Sequence, residues 1–190
     1  VLIAAAPIFS SIFSIFILKE IPNFFTWVII FISLGAMIII GWGSYTSAGI
    51  FGDLMALIVA TGMGLGMVIV RFYKEKDFVP ACLIGCVLAA LYALPFNINY
   101  NLSSYQIIIL LFMSLISLPI PFMILSIAPK YAPAPEVALI FLMESILGTA
   151  WVWFVISEAP PLNTIIGGLI LLFAVSIFII KTSTDKKIGN

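Results

Sequence analysis

Glu144 lies eight residues beyond Glu136, well inside an apolar run. On a helix that is about 12 Å, close to the midplane of a bilayer if the run spans one. A carboxyl group there is costly unless it is protonated, paired or facing a wet cavity. In the first and last cases it can bind a polar solute or carry a proton. Gly148 and Trp151 share its helical face, and Ser145 and Thr149 lie beside it. Together they make a polar patch with one aromatic wall, fit for a small polar solute. The structural alternative is a protonated Glu144 bonded to the backbone of a neighbouring helix.

Other polar groups in apolar runs are sparser. Thr61, Ser114 and Ser117 can hydrogen-bond across helices or line a path, and Tyr92, Trp151 and Trp153 can wall a cavity. Asp53 reads as an interfacial, solvated acid, and Trp27 and Trp42 as interfacial anchors. Glu20 and Glu158, in connections between runs, read as caps for backbone donors at the helix start that follows.

Much chemistry is excluded. The chain has no histidine, which removes the commonest general base and metal ligand, and no carboxylate cluster suggests an enzyme. Cys82 and Cys86, four apart, read as small core residues and not as a metal or redox pair. No phosphate-binding GxxxxGK[ST] run occurs. Eight basic and eight acidic residues cancel, so no excess charge points to nucleic acid. No cofactor, metal site or catalytic residue is expected.

The elements that must position these groups are transmembrane helices. Apolar residues form 64% of the chain and charged residues 8%, so lipid must solvate much of it. Seven apolar runs cover 1–18, 22–42, 50–70, 78–96, 107–127, 136–156 and 162–180, each near the length a bilayer core requires. Every Lys and Arg follows an odd-numbered run: Lys19; Arg71, Lys74 and Lys76; Lys130; and Lys181, Lys186 and Lys187. The positive-inside bias then puts these connections and the C-terminus in the cytoplasm.

Gly62 and Gly66 form a GxxxG with Gly64 between them, and Gly167 and Gly168 open the last run. All read as sites of close helix packing. Pro119 and Pro121 predict kinks, which are either hinges or plain structural bends.

An internal repeat runs through the chain. Residues 5–27, AAPIFSSIFSIFILKEIPNFFTW, align without gaps on 143–165, MESILGTAWVWFVISEAPPLNTI. The shared Glu-x-Pro-x-x-x-Thr pairs Glu20 with Glu158, Pro22 with Pro160 and Thr26 with Thr164. Because the two corners fall on opposite sides of the membrane, the copies are inverted, an architecture common in secondary transporters.

With Pro7, Glu20 and Gly35 in the first copy, Glu144, Ser145, Glu158, Gly167 and Gly168 in the second, and GDLMALIVATG opening a new unit, the chain resembles the EamA-type drug/metabolite transporter family. The resemblance implies two five-helix inverted repeats with both ends cytoplasmic. On that basis the fold is an all-α integral membrane bundle. Residues 1–42 would close a first repeat, 48–182 would form the second, and 183–190 would be a cytoplasmic tail. The chain starts on Val inside an apolar run and reads as a fragment, the last seven of ten spans. Ser145 departs from the family's frequent proline. The implied activity is alternating-access transport of a small organic metabolite in a bacterial plasma membrane. The partners are the solute and the bilayer, with oligomeric state unspecified. Candidate cavity residues are Glu144, Ser145, Thr149, Trp151, Thr61 and Tyr92. A seven-span receptor or a non-transporting subunit is the alternative.

Overall fold

The computed structural model describes residues 2–42, 50–93, 103–117, 119–157 and 159–188. Glu158 therefore lies outside the described residues. Among them, five helices are long and apolar enough to cross a bilayer: Phe24–Gly41, Phe51–Phe72, Ser104–Tyr131, Ala134–Val155 and Leu162–Thr184. Two shorter apolar helices, Ile3–Leu18 and Val79–Ala93, bring the apolar segments to seven. In lipid the backbone must satisfy its own hydrogen bonds, so apolar runs of this kind become helices.

Three of the segments are interrupted. The first is a short 3₁₀ turn, then α1 (Ala6–Phe13), then a π-helical turn over Ser14–Leu18. The fifth is α5 (Ser104–Phe112), a π-helical turn over Met113–Ser117, α6 (Pro119–Leu125) and the single turn α7 (Ala128–Tyr131). The sixth divides into α8 (Ala134–Phe141) and α9 (Met143–Ile156). The others are α2 (Phe24–Gly41), α3 (Ile50–Phe72), α4 (Val79–Ala93) and α10 (Leu162–Ile188).

The most extensive helix pair is α2 against α10. Ile29, Ile30, Ala36 and Met37 of α2 are buried with Leu171, Ala174, Val175 and Phe178 of α10. Phe25, at the start of α2, stacks on Phe178, late in α10, with ring centroids 6.2 Å apart. At the other end Asn163 Nδ2 donates to the Trp42 carbonyl at 2.9 Å. The two helices are thus antiparallel. A second cluster joins Met67 and Val68 of α3 to Ala134, Val137 and Ala138 of α8, with α1 packed on both.

The aligned segments share several local features at the 138 spacing. Lys19 (φ 57°) and Ser157 (φ 60°) are the non-glycine residues with left-handed backbone among those described. The helices that follow start at Phe24 and Leu162. Ser11 Oγ donates to the Pro7 carbonyl at 2.7 Å, and Thr149 Oγ1 to the Ser145 carbonyl at 2.8 Å. Ser33, Ala36 and Met37 are buried, as are their counterparts Leu171, Ala174 and Val175. Since α2 and α10 run antiparallel, the two copies are inverted.

The glycines divide differently from expectation. A Cβ on Gly64 would stand 2.7 Å from the Ser10 nitrogen, and one on Gly167 would stand 2.6 Å from the Ala36 oxygen. Gly62 and Gly66 meet nothing within 4 Å, and Gly168 meets only Ile146, at 3.9 Å. Two residues turn a helix by about 200°, so Gly64 faces α1 while its neighbours face the opposite way. There Gly62 and Gly66 border an apolar groove with Phe78, Cys82 and Phe122. The close contact therefore belongs to Gly64 and Gly167. Gly64→Ala and Gly167→Ala should each lower stability by about 1–3 kcal/mol through overpacking against backbone. Gly62→Ala and Gly66→Ala should stay within about 0.5 kcal/mol. Unfolding of the purified chain in detergent micelles measures all four.

Candidate functional site

The join between α8 and α9 sets the site. Leu142 N–H bonds to the Leu139 carbonyl, and Ser145 N–H to the Leu142 carbonyl, both at 3.2 Å. These i to i+3 bonds tighten the chain for one turn and divide the sixth segment near its middle. Glu144 falls in the first turn of α9, where its carboxylate is exposed on the surface of this chain. Trp151 and Gly148 are exposed with it.

Ser145, Thr149 and Trp153 recur every four residues on a different face of α9. They line a cavity of about 390 Å³ with Met37 and Ile40 of α2 and Thr164 and Gly168 of α10. Its wall is mostly apolar, with hydroxyl groups at Ser145, Thr149 and Thr164 and an indole at Trp153. Thr149 spends its proton on its own helix, which leaves its oxygen as an acceptor. Such a surface can enclose an apolar body and orient a few polar groups on it. Among the described residues no acid or base lines it.

The polar patch expected from sequence therefore divides in two. Ser145 and Thr149 share the cavity, with Trp153 as the aromatic wall. Glu144 and Trp151 do not line it. Thr61 Oγ1 donates to the Leu57 carbonyl at 2.7 Å in its own helix. Tyr92 is exposed on α4, which buries none of its residues among those described. The signal for Trp153 was present, since it follows Ser145 and Thr149 at four-residue intervals.

At the opposite end of the bundle the basic residues gather. Arg71, at the end of α3, grips Glu20 with both arms of its guanidinium: Nε donates to Oε2 at 2.7 Å and Nη2 to Oε1 at 2.9 Å. Its Nη1 donates to the Pro129 carbonyl at 3.3 Å. Lys130 Nζ donates to the Lys76 carbonyl at 2.6 Å, and Lys181 sits 3.9 Å from the centre of the Phe25 ring. One guanidinium thus joins the α1–α2 corner, the end of α3 and the α7 turn. Glu20 is an ion-pair partner and not a helix cap; Asn23 occupies the cap position of α2 without a side-chain bond. Sequence reasoning missed the pair. The signal was Arg71 itself, the only arginine in the chain, a side chain suited to two-pronged carboxylate recognition.

Among the described residues no group of three or more His, Cys, Asp or Glu could hold a metal ion. Cys82 and Cys86 are free, and Asp53 is exposed in the first turn of α3.

Comparison with known proteins gives two matches. The model of the EamA-like transporter family matches residues 50–180. The uncharacterized transporter YdfC of Bacillus subtilis (strain 168) is 26% identical over 197 aligned residues, covering 98% of this chain and 63% of that protein. The chain thus spans less than two thirds of the length of this relative. No solved structure matches.

Arg71 is 12% exposed and Glu20 40%, so their pairing is partly screened. Arg71→Gln and Glu20→Gln should each cost about 1–3 kcal/mol, and the double variant should cost less than the sum. Arg71→Lys should recover only part, because an ammonium cannot make the two-pronged contact. Thermal unfolding of the four variants tests the cycle.

Proposed function

The chain belongs to the EamA-like transporter family, and on that premise we propose that it forms the greater part of a secondary transporter that moves a small organic metabolite by alternating access. The observation that carries this reading is the inverted pair of corners. The same left-handed turn, helix start and hydroxyl bond recur at a spacing of 138 residues at opposite ends of an antiparallel pair. Two halves of one fold facing opposite ways can exchange conformations across a midplane site. A receptor or a passive subunit has no use for such a pair.

The tightened turn between α8 and α9 supplies the second support, since irregular turns near mid-membrane can bring polar groups into hydrocarbon. Ser145 and Thr149 contribute hydroxyl contacts to the solute, and Glu144 contributes a carboxylate on the neighbouring face. In the membrane an ionised Glu144 needs a partner or water, which makes it the group through which proton movement couples to transport. Trp151, Thr61 and Tyr92 line the same path in the assembled transporter. Gly62 and Gly66 border the groove where the moving helices α3 and α6 separate, and the π-helical turn ahead of Pro119 and Pro121 serves as a hinge. Residues 1–42 end one repeat and 48–182 form the next. The Arg71–Glu20 pair holds the basic end closed, and that end, with the C-terminus, faces the cytoplasm across a bacterial plasma membrane. The solute is recognised by shape and a few hydroxyl contacts, so its class is read from transport assays and not from the cavity wall.

Glu144→Gln in the full-length protein should reduce proton-coupled uptake or efflux at least about tenfold, about the loss of one essential ionisable contact. It should also flatten the pH dependence of the remainder. Thr149→Val should weaken solute affinity more than it lowers the maximal rate. Flux in proteoliposomes across a pH series checks both. Wild-type flux in Glu144→Gln at every pH would remove the carboxylate from the mechanism.

A further inference from the structure

Beside the Arg71–Glu20 pair lies a small polar niche of about 90 Å³, and it stands apart from the cavity on α9. Ser14, Glu20, Asn23 and Thr26 reach it from the α1–α2 corner, and Glu136 reaches it from the first turn of α8. Ser14 is 1% exposed, and its hydroxyl makes no hydrogen bond to the protein. A buried hydroxyl left this way is destabilising. Its neighbours Ser10 and Ser11 avoid the cost by donating to the Pro7 carbonyl. Ser14 instead sits at the first position of the π-helical turn. Its carbonyl accepts the N–H groups of both Lys19 and Glu20, and its side chain remains for the niche. Wide turns of this kind are frequent at functional sites.

We propose that this niche binds a sodium ion. The groups that line it carry oxygens: the hydroxyls of Ser14 and Thr26, the amide carbonyl of Asn23, and the carboxylates of Glu136 and of Glu20, whose two oxygens also accept from Arg71. That is the set a hard cation takes. A divalent ion would call for a denser group of acids, and no group of three or more is present among the described residues. The volume holds about three water-sized bodies, enough for one ion that keeps a water or two. Pro22, Pro133 and Pro135 form part of the wall. Ser14 then completes its hydrogen-bonding valence through the ion, which explains a placement the helix itself does not use. Glu20 is common to the niche and to Arg71, so occupancy of the site bears on the contact that joins α1, α3 and α7. The site stands on the resting geometry of the chain and does not require that transport occur.

Binding of radiolabelled sodium to the purified full chain in detergent, at constant ionic strength with choline as the replacing cation, tests this directly. The expected result is saturable binding, displaced by unlabelled sodium and not by choline. Ser14→Ala and Glu136→Gln should each weaken it about tenfold or more, the loss of one contact to a charged ligand. Ser126→Ala removes a hydroxyl that bonds to the Met123 carbonyl away from the niche, and it should leave binding unchanged. The two niche variants change one or two atoms each, and matching circular dichroism and elution would show that they fold. Absence of saturable binding, or binding that Ser14→Ala and Glu136→Gln both retain, would overturn the assignment and leave the niche to water. Because the readout is binding and not flux, a protein that moved no solute could still bear it out.

Discussion

Where α10 meets α2, Gly167 presents no side chain, and the helix lies directly on the Ala36 carbonyl. In a hydrocarbon solvent the hydrophobic effect does not drive helices together, so cohesion must come from close atomic contact. The seam spreads from that point through Ile29, Ile30, Leu171, Val175 and Phe178. It fixes the two helices as antiparallel and puts the α1–α2 corner and the α9–α10 corner at opposite ends. The cavity on α9 exists because α9 leans on this pair without filling the space beside Met37 and Ile40. Gly64 plays the corresponding part between α1 and α3, where Ser10 comes within reach of its Cα.

How far these relations could be read from sequence depended on the length of the pattern that carried them. The seven apolar runs were legible because each repeats one physical demand over about 20 residues. The repeat was legible in Glu-x-Pro-x-x-x-Thr, and the matched backbone at Lys19 and Ser157 gives that motif a structural meaning. The interruptions were less legible. Nothing local at Leu142 marks the tight turn, since neither glycine nor proline is there.

Side-chain neighbourhoods were the least legible. Glu144 and Ser145 are adjacent in sequence, yet one residue turns a helix by about 100°, and they face different surroundings. Grouping them into one patch overlooked that rotation, whereas the four-residue spacing from Ser145 to Trp153 respects it. The Arg71–Glu20 contact joins residues 51 positions apart, and no periodicity within a single helix can reveal such a pairing. The polar chemistry ends up at two levels of the bundle. Hydroxyl groups line a largely apolar cavity on α9, and charged groups tie the ends of α1, α3 and α7 together. The two levels are joined through α2 and α10, which pass both.

The paired left-handed residues have a consequence for how such a chain enters a membrane. Their backbones are the same, but one carries the ammonium of Lys19 and the other the neutral hydroxyl of Ser157. Two nearly interchangeable folds pointing opposite ways give the insertion machinery no conformational cue for choosing between up and down. The choice rests on charge, and here the symmetry is broken at the matched position itself. The two corners are close to mirror copies in backbone, and the lysine on one of them is a charge the other lacks.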